Sequence, residues 1–196
     1  MVENLPEVAI AAALAWASGI RLYATLFLVG LAGKLGWVVL PEHLELLASP
    51  LVLGASGFMT CVEFFADKVP WLDSMWDAFN TFTRIPGGAM LAAAVVGDSG
   101  AGAALAAAII GGTITAGTHF AKAGARAVVN TSPEPFSNVV KSTAEDLLVP
   151  AGLWTAVAAP VIFLVALLLF LGLVAWALPT LWRGARRLVS FGRPKR

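Results

Sequence analysis

The chain has 196 residues, of which 59% are hydrophobic and 13% charged, with a formal net charge of +1. With a mean hydropathy of +0.83, these values exclude an ordinary soluble domain and indicate an integral membrane protein of the helical kind. A transmembrane β-barrel would alternate polar and apolar residues in short segments, and that pattern is absent.

The first apolar segment covers about residues 5–33 and is interrupted by Ser18-Gly19-Ile20-Arg21. A Ser-Gly pair beside a lone arginine predicts a kinked or broken helix whose backbone faces protein or water. The alternative is an arginine snorkelling to the interface between two shorter segments. Ala15-Trp16-Ala17 mimics a leader-cleavage site, but Glu3 and Glu7 precede it without a basic residue, so the segment is read as part of the mature chain.

Residues 34–49 form a polar connection in which His43 reads as a loop-surface histidine. A second span is expected over residues 50–68. On it Ser56, Thr60, Glu63 and Asp67 recur at intervals of four, three and four, so they share one helical face. Cys61, the single cysteine, lies in this span as a small packing residue and excludes an intrachain disulfide.

Residues 71–84 read as an amphipathic helix, with Leu72, Met75, Trp76 and Phe79 on one side and Asp73, Asp77, Asn80 and Arg84 on the other. It is too short and polar to span, so an interfacial or re-entrant placement is expected. Pro86-Gly87-Gly88 should then reset the chain direction, leaving residues 85–97 as a half-helix or one that borrows a turn from 81–84.

The next span, residues 100–129, carries Ala104, Ala108, Gly112 and Ala116 at intervals of four, a close-packing seam for another helix or another copy of the chain. Its later half carries Thr115, His119, Lys122 and Arg126, with the same four, three, four spacing as the acidic stripe. One stripe is acidic and the other basic. A polar turn with two prolines, residues 130–138, precedes Ser142 and Glu145, which have the form of a helix-starting capping box. The final span, from about 147 past 178, exceeds what a bilayer requires and contains Pro150 and Pro160.

Beyond Asp146 there is no acid, while Arg183, Arg186, Arg187, Arg193, Lys195 and Arg196 crowd the terminus. The positive-inside tendency makes residues 183–196 a cytoplasmic tail. The whole therefore reads as an all-α polytopic transmembrane bundle of about five spans, with broken or re-entrant segments and an interfacial amphipathic helix. Residues 1–182 form its single domain, with a weak internal repeat of about 18–84 and 86–146.

Three motifs, SGIRLYATLFLVGLAGKLG, VEFFADKVPWLDSMWDAFNTFTRIPGGA and HFAKAGARAVVNTSPEPFSN, resemble the bacterial membrane-protein family called domain of unknown function 4126. The resemblance runs from about Ser18 to the final span. It implies a multi-pass prokaryotic inner-membrane protein and supplies no activity, substrate or catalytic residue.

Function must therefore come from the charged groups. Intramembrane ionisable residues usually pair, face a cavity and mark a pathway. That reading makes Arg21, Glu63, Asp67, His119 and Lys122 the core of a transporter or channel for a small ion or polar solute, with Arg126 beside them. A second reading is structural: Glu63 and Asp67 neutralise Lys122 and Arg126 across a helix interface, in a scaffold or partner subunit. A third is a lipid-headgroup enzyme or carrier at the interface, in which Asp73 and Asp77, one turn apart, hold a divalent metal against a lipid phosphate. Two histidines without a cysteine cluster argue against zinc, and no nucleophile-elbow, P-loop or HExxH pattern supports an enzyme or a cofactor. The expected partners are membrane lipids and a second copy through the alanine-glycine seam, not nucleic acid.

Overall fold

The computed structural model describes residues 4–69, 71–129 and 135–191, with side chains in the last group at 136–177 and 179. The 130–134 part of the expected polar turn and the basic side chains of the tail lie outside the described residues. Within them the fold is all-helical: α1 Leu5–Lys34, α2 Pro50–Ala66, α3 Leu72–Val95, α4 Ala101–Val129, α5 Pro135–Ala158 and α6 Pro160–Phe191. A short 3-10 helix, Glu42–Ala48, precedes α2.

Local sequence sets these boundaries. Pro6 and Glu7 start α1 and Lys34 ends it, in line with the helix dipole. Gly36, at φ +70°, then takes the left-handed conformation that closes the helix. Ser49 caps α2 by accepting a hydrogen bond from the Val52 amide, with Pro50 at the first helical position.

α1 is not straight. Arg21 has φ −146° and ψ 86° inside it, so residues 5–20 and 22–34 are two arms. A straight helix of this length would hold its ends about 45 Å apart. Instead both ends lie near the C-terminal end of α3. Asn4 and Glu7 share a groove with Val96 and Ser99. The 3-10 helix that packs on Gly30 brings His43 against Gly97. α1 therefore doubles back at Arg21, and it touches every other α-helix. Its first arm is the apolar centre, with Ala9, Ala13, Leu14, Ala15 and Ala17 all buried.

The surface and interior are inverted relative to a soluble protein. Phe58, Phe79, Phe82, Ile109 and Leu169 are exposed, whereas Arg21, Glu63, Asp73, Arg84 and His119 are almost wholly buried. This is the arrangement of a multi-pass membrane protein, whose apolar belt faces acyl chains. By length and composition α4 and the 160–177 part of α6 suffice to cross a bilayer, and the bent pair of the 3-10 helix and α2 is a further candidate; α1 is apolar enough as well, but its 30 residues are divided between two arms at Arg21. α3 is also long enough, at about 36 Å, but carries its charges inward.

Three expectations change. Pro86-Gly87-Gly88 does not reset the chain, because α3 runs continuously through it. The glycines serve close approach: a Cβ on Gly88 would lie 2.1 Å from Thr115 Oγ1, and one on Gly87 would meet Leu22 at 3.0 Å. The long last span divides at Ala159 into α5 and α6, where Pro160 lacks the amide that would continue the helix. The 142–145 capping box is not a helix start, since α5 begins at Pro135.

The alanine-glycine seam lies half-buried on α4. The close α3–α4 approaches are instead at Gly88 against Thr115 and at Gly111 against Ala92. Cys61 faces outward from α2. His43 is a surface residue, paired with Asp98 at 3.4 Å.

Candidate functional site

The break in α1 creates the site. A helix that stops at residue 20 leaves carbonyls without their usual amide partners, and in a membrane these must be met by protein. The Ile20 carbonyl accepts a hydrogen bond from Lys122 Nζ at 2.9 Å, and the Arg21 carbonyl accepts from Thr25 Oγ1 at 2.8 Å. Gly19 permits this, because a Cβ there would lie 2.7 Å from the Thr115 carbonyl and Thr118 Cβ. Arg21 itself does not snorkel; it is 1% exposed and turned inward.

Around this break five helices converge their charges. Asp67, at the end of α2, receives three cations: Arg21 Nη1 at 3.0 Å, Lys122 Nζ at 3.0 Å and Arg126 Nη1 at 3.2 Å. Asp77 on α3 faces Arg84 Nη1 at 2.7 Å, Arg126 Nε at 3.2 Å and Lys122 Nζ at 3.5 Å. Asp73 faces Arg126 Nη1 at 3.4 Å. Glu63 pairs with Arg84 Nη2 at 2.5 Å. From α5, Glu145 meets Lys122 at 3.3 Å, Arg126 at 3.7 Å and Lys141. Asp146 takes Arg21 Nη2 at 2.9 Å and Lys68 at 3.3 Å. Ser142 Oγ accepts from Arg21 and from Lys68.

These groups form one connected network of six acids and six bases, neutral when all are ionised. Charge balance is what makes it tolerable. An isolated ion in a low-dielectric interior costs several kcal/mol after relaxation, and only close partners offset that.

His119 adjoins the network as its neutral member. Thr81 Oγ1 donates to the Asp77 carbonyl at 3.0 Å, so toward His119 it acts as acceptor and receives Nε2–H at 2.7 Å. On the other side Nδ1 lies 3.4 Å from Arg84 Nη1. A guanidinium has donors only, so Nδ1 must be the acceptor and cannot also carry a proton there. This tautomer is assigned from the donors and acceptors around the ring. A proton on Nδ1 would set N–H against N–H, so proton binding and the present position of Arg84 exclude each other.

All eight residues singled out in the sequence, Arg21, Glu63, Asp67, Asp73, Asp77, His119, Lys122 and Arg126, meet here. One pairing differs from expectation: Glu63 binds Arg84 on α3, not Lys122 or Arg126. Asp73 and Asp77 face cations within the protein, and among the described residues no group of three or more His, Cys, Asp or Glu side chains is placed to hold a metal. Sequence reasoning missed Arg84, Glu145, Asp146, Lys68 and Lys141 as members, Arg84 having been read only as part of the polar side of the 71–84 helix. The signal for Glu145 was its i,i+4 relation to Lys141, masked by the local resemblance to a cap.

A cleft of about 520 Å³ opens between α4 and α5 and touches the network at Lys122, Lys141 and Glu145. Glu63 and His119 do not line it.

A family model described as domain of unknown function (DUF4126) matches residues 8–180. No curated protein and no solved structure matches the chain.

Proposed function

We propose that this chain, which belongs to the DUF4126 family, is a membrane transport protein for a small ion or polar solute, with proton binding at His119 coupled to rearrangement of the buried charges. The observation that carries the reading is the neutral imidazole held against Arg84 at 3.4 Å, inside a network otherwise made of ions. Placing a proton on Nδ1 repels the guanidinium and loosens its grip on Glu63 and Asp77. Those carboxylates then become acceptors for a cation or a proton. Intramembrane His and carboxylate chains are common proton relays, and the doubled-back α1 offers the interrupted helix that transporters place at their sites.

The sign follows from the geometry. Acidification raises the population with a protonated ring and a displaced Arg84, so activity should rise as pH falls. The membrane proposed is the bacterial inner membrane, with the basic tail on the cytoplasmic side.

A scaffold reading is favoured by one feature: every described cation of the network has a carboxylate partner, which ties five helices together. Flux decides between the two. The purified protein in liposomes, loaded with a pH dye and tested against a panel of cations and anions, should show proton-linked flux that His119→Gln makes independent of pH. Absence of any flux in the wild type across that panel removes the transport reading and leaves the scaffold.

A further inference from the structure

The cleft between α4 and α5 goes unused in the transport reading, and we infer that it is a binding site for one anionic phospholipid of the host bilayer. α4 and α5 meet over only a short stretch, and α6 closes the gap from behind. Small residues keep it open: Ala125 on α4, Ala151 on α5 and Ala166 on α6 are exposed along it. Trp16, Phe163, Leu167 and Phe170 form its apolar wall. On α5 the lining runs from Lys141 to Thr155, fourteen positions or about 20 Å at helical rise. At about 520 Å³ it falls in the range of roughly 300–1,000 Å³ typical of small-molecule sites.

Its occupant follows from where it opens and how it is charged. The mouth lies among outward-facing residues such as Leu148, so in a bilayer the medium beside it is acyl chain, not water. Left empty, the walls would lose dispersion contacts on one side. One end is polar. Two ammonium groups, Lys122 and Lys141, and one carboxylate, Glu145, line it. Lys122 is committed to Asp67 and the Ile20 carbonyl. Lys141 has three donors, and its one hydrogen bond among the described residues is to Glu145. The remaining donors suit a phosphate, with one acyl chain descending along the cleft toward Thr155. The site shares Lys122, Lys141 and Glu145 with the network, but lipid binding there does not require flux through it.

The test uses the full chain in a nonionic detergent, incubated with phosphatidylglycerol or phosphatidylcholine of matched acyl chains and weighed intact by native mass spectrometry. One phosphatidylglycerol per chain should be retained, at about fivefold preference over phosphatidylcholine. Lys141→Gln should erase the preference and Lys141→Arg keep it. Ala166→Trp, or Ala125→Trp on the opposite wall, should abolish retention of both lipids while the melting temperature stays within a few degrees. Equal retention of both lipids by the wild type overturns the proposal. So does an unaltered preference in Lys141→Gln, or full retention in both tryptophan variants. A palmitate arm separates the sources: retention of palmitate alone, with neither phospholipid, also overturns it.

Discussion

Replacing Asp67 by asparagine is expected to destabilise the protein by about 3–5 kcal/mol, the usual cost of removing one partner from a buried ion pair. The change is nearly isosteric, so no cavity is created and the loss is electrostatic. It is large because Asp67 is the shared counter-ion of Arg21, Lys122 and Arg126, at 3.0, 3.0 and 3.2 Å. Neutralising it leaves the buried cluster with one cation too many at the break in α1. Adding Lys122→Met to Asp67→Asn restores the balance and should recover part of the loss. Denaturation by SDS in mixed micelles, followed by the fluorescence of the seven tryptophans, measures both. An unchanged midpoint in Asp67→Asn would show that water reaches these cations.

Arg84→Met carries the second large effect, again about 3–5 kcal/mol. Arg84 is 0% exposed and bridges Glu63 and Asp77. Asp77 retains Lys122 and Arg126, whereas Glu63, also 0% exposed, loses its ion-pair partner. The double variant Glu63→Leu with Arg84→Met removes both charges, and replacing a buried pair by apolar residues is often neutral or stabilising. The double variant should therefore regain most of what Arg84→Met loses, with a coupling energy of about 2–3 kcal/mol. Additive losses would mean that Glu63 is already neutral or paired elsewhere.

Several parts of this site were legible in the chain. Ser18-Gly19 before Arg21 left a broken helix and a snorkelling arginine equally open, and the non-helical backbone and burial of Arg21 decide for the break. The two stripes, Glu63 with Asp67 and Lys122 with Arg126, could be read from helical spacing alone, and the structure brings them together through Asp67. Partner choice was not legible. Which cation Glu63 meets depends on α3 bringing Arg84 against α2, a tertiary fact with no local trace. Pro86-Gly87-Gly88 was misread for a related reason: glycine marks turns and also marks places where helices touch, as Gly88 does at Thr115. The direction of the α3 polar face was likewise set by its surroundings. In water Asp73, Asp77 and Arg84 would face out, and in lipid the same periodicity turns them in. Glu145 was hidden by Ser142, three residues before it, since a capping pattern also arises by chance inside a helix whose start is fixed upstream at Pro135.

Coupling of proton binding to the ion pairs turns on the protonation state of His119, and the chain has only two histidines, His43 and His119. Nitrogen NMR of histidine-labelled protein carrying His43→Gln therefore reports on His119 alone. At neutral pH it should show a neutral ring with the proton on Nε2, and Arg84→Met should make that ring easier to protonate. An imidazolium at neutral pH, a proton on Nδ1, or a titration unaffected by Arg84→Met would contradict the coupling between proton binding and the ion-pair network.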